Sequence, residues 1–196
     1  METSRKSSYD INPLILNRWS PRSMSGEELN EKEFMPLFEA ARWAPSSYNN
    51  QHWRFIYAKK DTKYWNSFFN LLVPGNQAWA KNAALLVIAV SKKTFDHNGK
   101  PAITHSFDTG AAWENLALEG SKRNLVVHGM EGFDYDKARE FLKLTEEYQV
   151  EAMIAIGKPG KKEDLPEQAR AMEQPSGRRP LSEIVFEGEF KDGQAK

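Results

Sequence analysis

The residues of this chain best suited to hold a ligand stand at its chain breaks. Arg18, Ser20 and Arg22 surround a proline in Asn17-Arg-Trp-Ser-Pro-Arg22. Two guanidinium forks and a hydroxyl can jointly bind a phosphate, although such a triplet is also common on plain surface. Ser46 to Gln51 is an unbroken polar run between Pro45 and the apolar Trp53. That is more polar chain than a tight turn requires. Asn76 follows a Pro-Gly pair, and Arg178 and Arg179 sit late in the chain. Glu131 and Gly132 lie in a glycine-flanked stretch whose backbone can approach a flat ligand closely, and an ordinary turn reads the same way. Each element alone is ordinary. Together they suit a ligand with a phosphate at one end and a planar polar ring at the other.

Other chemistries find little support. The chain has no cysteine, which removes disulfides, thiolate catalysis and zinc–sulfur sites. His52, His97, His105 and His128 are scattered without metal-ligand spacing, so no metal site is expected. No nucleophile–base pair, carboxylate dyad, P-loop or GxGxxG is visible. The 27 basic and 27 acidic residues cancel and are interspersed. A nucleic-acid or membrane-surface role needs a basic excess, so neither partner is expected. No apolar run reaches membrane-spanning length, and the N-terminus lacks an apolar signal core. The expected location is cytoplasmic.

The elements that must position these residues follow from periodicity and punctuation. Asn12-Pro13 opens a short helix through Leu16. Ser25 with Glu28 and Asn30 with Glu33 both fit capping boxes. Phe34, Leu37, Phe38 and Ala41 recur at helical spacing over about 12 residues. Pro36 is tolerable there only near the first turn, and Pro45 ends the element. Trp53–Ala58 reads as a strand. Asp61 caps a helix holding Tyr64 through Leu72, which Pro74-Gly75-Asn76-Gln77 breaks. Ala83–Val90 reads as a strand buried on both faces. Lys92–Ala102 is a charged loop with an Asn98-Gly99 turn. Ile103–Arg123 is the longest helix, with Asn124 as a left-handed cap. Leu125–Val127 is a short strand, residues 128–132 a loop, Asp134 a helix start, and Val150–Ile156 the last strand. Residues 1–11 are expected to be loose. One domain spans 12–160, and 161–196 is a charged, proline-bearing tail whose apolar end docks on its own domain or on a neighbouring subunit.

With these motifs in place the chain resembles the FMN-dependent nitroreductase family. The resemblance rests on Asn17-Arg-Trp-Ser-Pro-Arg22, Ala40-Ala-Arg-Trp-Ala-Pro-Ser-Ser-Tyr-Asn-Asn-Gln-His-Trp-Arg-Phe55, Met130-Glu-Gly-Phe-Asp134, Gly157-Lys-Pro and Arg178-Arg-Pro-Leu181. It implies an α+β fold, a mixed and mainly antiparallel sheet flanked by helices, in an intertwined homodimer with FMN at the subunit interface. In that family Arg18, Trp19, Ser20 and Arg178 would surround the FMN phosphate end. Arg22 would face the N1/O2 edge, where a cation stabilises the reduced ring. Pro45, Ser46, Ser47 and Asn49 would arrive from the other subunit, and Gln51 would also contact the cofactor. Asn76 would bond the pyrimidine edge, Glu131 and Gly132 would present backbone N–H groups near N5, and Met130 would also contact the cofactor, making Arg22 and Glu131 the catalytic candidates.

The resemblance further implies an oxidoreductase that uses NADH or NADPH to reduce small flat nitroaromatic or quinone-like acceptors in a ping-pong cycle. Reductive dehalogenation, flavin fragmentation and a flavin-binding protein without turnover are the alternatives. For the first two, Lys92–Pro101 is the only modest lid candidate. Two departures stand out. Ser176-Gly177 occupies the place where many members carry a lysine, so phosphate affinity is lower or another cation substitutes. His52 replaces a proline after Gln51, with a structural role weighed above contact with substrate.

Overall fold

Strand β2 (Leu85–Lys92) is the axis of the molecule, and its apolar run explains why: seven of its eight residues are buried. The computed structural model describes residues 5–190, so the outer ends of the expected loose N-terminus and tail lie outside the described residues. Strands β1 (Trp53–Lys59), β3 (Val126–Met130) and β4 (Tyr148–Gly157) complete a sheet in the order β1-β2-β4-β3. All three pairings are antiparallel. The α+β class with a mainly antiparallel sheet is therefore what the structure shows.

Alternation along β2 sorts the core into two layers. Leu85, Val87 and Ala89 pack toward α2 (Glu31–Arg42) and α5 (His105–Lys122), together with Phe34, Leu37 and Leu116. Leu86, Ile88 and Val90 face the other way, toward α3 (Trp65–Phe69), α4 (Pro74–Ala80) and α6 (Tyr135–Phe141), with Phe68, Trp79 and Ala138. The short α1 (Pro13–Asn17) lies against α5. Helix α5 can approach β3 closely because residue 120 is glycine: a Cβ there would stand 2.3 Å from Val127 Cγ2. No helix among the described residues is long and apolar enough to cross a membrane.

Several local expectations need correction. Asn30 and Glu33 do form a capping box at α2, but no helix starts at Ser25, whose hydroxyl accepts from the Glu27 N–H. Pro36 lies in the second turn of α2, past the positions where its missing N–H is free of cost. Asp61 adopts a left-handed turn conformation (φ 61°), and α3 begins at Trp65 and ends before Leu71. Pro74 opens α4 from its first position, so 74–77 starts a helix as well as ending the segment before it. Residues 128–130 extend β3, because His128, Gly129 and Met130 pair with Ala155, Ile154 and Met153. The segment after Gly160 is not merely polar. It forms α7 (Glu167–Ala171) and buries Leu165, Ala169 and Glu173.

Candidate active site

The arginines converge. Arg18, Trp19, Ser20, Arg22 and Arg178 line one cavity of about 280 Å³, together with Arg5, His128 and Ser176. Arg18 leaves α1 in extended conformation, with its N–H bonded to Leu14 O as the helix cap. Its Nη1 donates to Ser20 Oγ at 3.3 Å and its Nε lies 3.4 Å from Glu114 on α5. Arg22 is fixed through its backbone: the Arg22 and Ser23 N–H groups donate to the buried Glu173 carboxylate at 2.9–3.0 Å. Glu173 follows α7, which is how the segment past residue 160 organises a loop 150 residues earlier.

Arg5 had no place in the sequence-based site. Its Nη1 donates to Leu16 O at 3.2 Å and Arg18 O at 2.7 Å, and its buried Nε has no partner. Burial first, then the charges of Arg178 and Arg18, push its guanidinium below the ordinary value. Such crowding of like charge around a cavity is relieved by an anion. Arg178 Nη1 donates to Ser176 Oγ at 3.1 Å, so the serine standing in the expected lysine position still places a hydroxyl at the cavity. The only sequence signal for Arg5 was its charge, and a lone arginine near a terminus carries no positional information.

His128 closes the same cavity. Its Nδ1 donates to Pro21 O at 2.9 Å and its ring lies 4.7 Å from Trp79. Burial, reinforced by the Arg22 charge, pushes its pKa down against the opposing pull of the Pro21 and Ser20 carbonyls and Glu173. The imidazole is therefore held neutral beside the arginines.

Ser20 also belongs to a second, adjoining groove of about 520 Å³, lined by Trp113, Gly129, Met130, Glu131, Tyr135 and Glu151 among others. The expected ring-end residues Met130 and Glu131 thus share a wall with the phosphate-end residue Ser20. Gly132 and Asn76 meet one another next to it. Asn76 Nδ2 donates to Gly132 O at 3.0 Å, and a Cβ on residue 132 would stand 2.7 Å from that nitrogen. The glycine is required by this close approach.

The loop from Pro45 to Gln51 lines neither cavity. It is nevertheless tightly specified. Tyr48, Asn49 and Gln51 all take positive φ near 51°, a costly state for non-glycine residues. Ser46 Oγ accepts from Gln51 N, Ser47 N donates to Asp108 Oδ2 at 2.9 Å, and Gln51 Nε2 donates to Asn49 O. His52 is fully buried behind the loop, with Nδ1 2.9 Å from Lys92 O and Nε2 3.7 Å from Asp108. That location supports a structural role for His52. The segment after β2 is pinned to the same loop by Asn50, whose Oδ1 accepts from Asp96 N and whose Nδ2 donates to Thr94 O at 3.4 Å.

A model of the nitroreductase family matches residues 15–75 and 70–158. The chain belongs to the nitroreductase family. It is 30% identical over 186 residues to Protein DrgA of Synechocystis sp., covering 80% of this chain and 85% of that protein. It resembles a solved oxidoreductase containing FMN at 43% identity and a TM-score of 0.92, with 96% of this chain and 97% of that one covered. The fold is shared with a putative nitroreductase from Desulfovibrio desulfuricans solved in complex with FMN, at 23% identity and a TM-score of 0.71 over 93% and 100% of the two chains.

Proposed function

We propose that this nitroreductase-family chain is a flavin oxidoreductase, binding FMN and using NADH or NADPH to reduce flat nitroaromatic or quinone-like acceptors. The observation that carries this reading is the continuity of an arginine-lined cavity with an apolar groove through Ser20. A phosphate fits the first and a planar ring the second. The residues present fit FMN on two further counts. Arg5 Nε is a buried donor without a partner, and the like charges of Arg178 and Arg18 bear on Arg5. The similarity to an oxidoreductase containing FMN supports the same cofactor.

Arg18, Ser20 and Arg178 would hold the phosphate, with Arg5 as the cation that substitutes for the absent lysine. Arg22, aimed by Glu173, would place positive charge beside the ring, while Met130, Glu131, Gly132 and Asn76 would bound its other edge. When bound, FMN supplies hydride acceptance and return at N5 in a ping-pong cycle; the protein supplies orientation, charge and exclusion of water. A second copy would bring Pro45, Ser46, Ser47, Asn49 and Gln51 to this site, since they line neither cavity of their own chain. Large apolar side chains left open support that assembly: Ile103 is 95% exposed, Tyr48 82% and Phe107 79%.

The test is spectroscopic. The purified protein should carry, or take up, one FMN per chain, and NADH or NADPH should bleach it anaerobically, with colour returning on addition of a quinone. A chain that takes up no FMN would refute the reading.

A further inference from the structure

Three elements bring together a polar cluster that no sequence motif announces. Ser91 ends the buried run of β2, His105 and Ser106 occupy the first turn of α5, and Gln149 and Glu151 lie on β4. The register shows how Glu151 gets there. Ala89 pairs with Ala152 and Val90 with Val150, so Glu151 has no partner and forms a β-bulge. A bulge re-aims a side chain. Here it turns a carboxylate into the groove that also holds Glu131, Tyr135 and Trp113.

The proton inventory of the cluster is fixed by its hydrogen bonds. The Ser91 hydroxyl, on a fully buried residue, donates to Glu151 Oε1 in a very short contact, and Ser106 Oγ donates to the same oxygen at 2.7 Å. His105 Nδ1 lies 2.8 Å from Ser91 Oγ, 3.3 Å from Ser106 Oγ and 3.6 Å from Glu151 Oε1. A serine hydroxyl has one proton to donate. Both are spent on Glu151, so Nδ1 must carry a proton and donate it to Ser91. The order is therefore His105 Nδ1–H to Ser91 Oγ–H to Glu151. This is the reverse of a hydrolytic triad, in which the serine gives its proton to histidine. Gln149 Nε2 steadies the outer carboxylate oxygen at 3.3 Å. The side chains of His105 and Glu151 remain 15% and 18% exposed, enough to exchange protons with water.

We propose that His105, Ser91 and Glu151 form a proton relay that supplies the groove during reduction of an acceptor. This rests on the flavin reading above. Two-electron reduction of an acceptor A consumes one hydride and one proton, A + H⁻ + H⁺ → AH₂, and a flavin supplies only the hydride. At rest Glu151 is a carboxylate that accepts from both serines. A proton taken from water at His105 Nε2 drives the Nδ1 proton to Ser91 Oγ and the Ser91 hydroxyl proton to Glu151, whose carboxyl, facing the groove, gives it to the acceptor. One proton thus enters from solvent for each one delivered, and the ring regains its Nδ1–H form by exchange with water. Glu151 is the catalytic residue; Ser91 and His105 are positioning residues that act through it. The other charged or titratable groups facing Glu151 are Glu131 at the end of β3 and Tyr135 on α6. Burial, and then the charges of Glu131 and Glu151, push the Tyr135 hydroxyl up, so Tyr135 stays protonated and is a poor competing donor.

The relay is tested with acceptors that differ in proton demand. A benzoquinone needs the proton; ferricyanide takes an electron and no proton. In the FMN-loaded protein, Ser91→Ala and Glu151→Gln should lower the ratio of quinone to ferricyanide turnover about tenfold or more, within the range of general-acid effects. Nitrogen shifts of the flavin-free protein should show the neutral His105 ring protonated at Nδ1, with Ser91→Ala moving it toward the Nε2–H tautomer. An unchanged ratio, or an Nε2–H ring in the unaltered protein, would overturn the relay alone. Failure to take up FMN would instead overturn the functional reading, and the delivery of protons with it.

Discussion

The arginine cavity and the Glu151 groove adjoin through Ser20, yet they are built in opposite ways. The cavity is assembled mostly from chain breaks: the stretch before α1, the loop between α1 and α2, and the stretch after α7, with His128 of β3 closing it. Its charged groups are arginines, and the chemistry proposed for them is static attraction. The groove is assembled mostly from the faces of packed elements, β2, β3, β4, α5 and α6, and the chemistry proposed for it is proton transfer. In the proposed function, binding is placed where the backbone is irregular and can aim guanidinium groups. Proton movement is placed where packing holds hydroxyl and carboxylate within hydrogen-bond distance.

The largest effect that would break this comparison is on the cavity. Each charge-assisted hydrogen bond is worth about 1.5–3 kcal/mol. Replacing Arg18 and Arg178 together by alanine should therefore weaken FMN binding roughly 10²–10⁴-fold in a fluorescence titration. Arg22→Ala should act differently, slowing flavin reduction by NADH or NADPH in stopped-flow more than it weakens FMN binding. Equal losses in both would place Arg22 with the phosphate-end arginines.

Smaller effects probe the supports. Gly132→Ala forces a Cβ into Asn76 and should cost about 1–3 kcal/mol in denaturant unfolding, as overpacking does. Asp108→Ala strands the Ser47 N–H and leaves His52 without its carboxylate. About 1–3 kcal/mol should be lost, and Asn49 and Gln51 should exchange amide protons faster. The smallest effect is that of His128. Its folded pKa lies below the unfolded value of about 6.5, so its contribution to stability is intact above that pH. It is lost as pH falls from there through the folded value, because the unfolded chain takes up the proton first. His128→Gln should flatten the stability profile in that window.

The cavity was legible in the sequence because its arginines and serine sit beside prolines and glycines, which mark irregular backbone without any knowledge of packing. Arg5 and Glu173 were not, because nothing near them distinguishes a structural charge from a solvated one. The run 83–90 revealed its central strand through unbroken hydrophobicity. The loop reading of 128–132 was wrong for 128–130, because glycine in a strand looks like a turn until pairing with β4 is known. The relay was invisible for a deeper reason. Ser91, His105 and Glu151 lie on three elements, and a β-bulge, which depends on the register of β2 against β4, turns Glu151 toward the other two. Only the β2 and α5 readings could have placed Ser91 and His105 near one another.

In the proposed function the arginine cavity binds the phosphate of a flavin whose ring lies in the adjoining groove. Parallel titrations of the flavin-free protein with FMN and with riboflavin, which lacks the phosphate, test it most directly. FMN should bind at least about a hundredfold more tightly, the worth of two charge-assisted bonds, and Arg18→Ala should narrow the gap. Equal affinity for the two flavins would contradict the account.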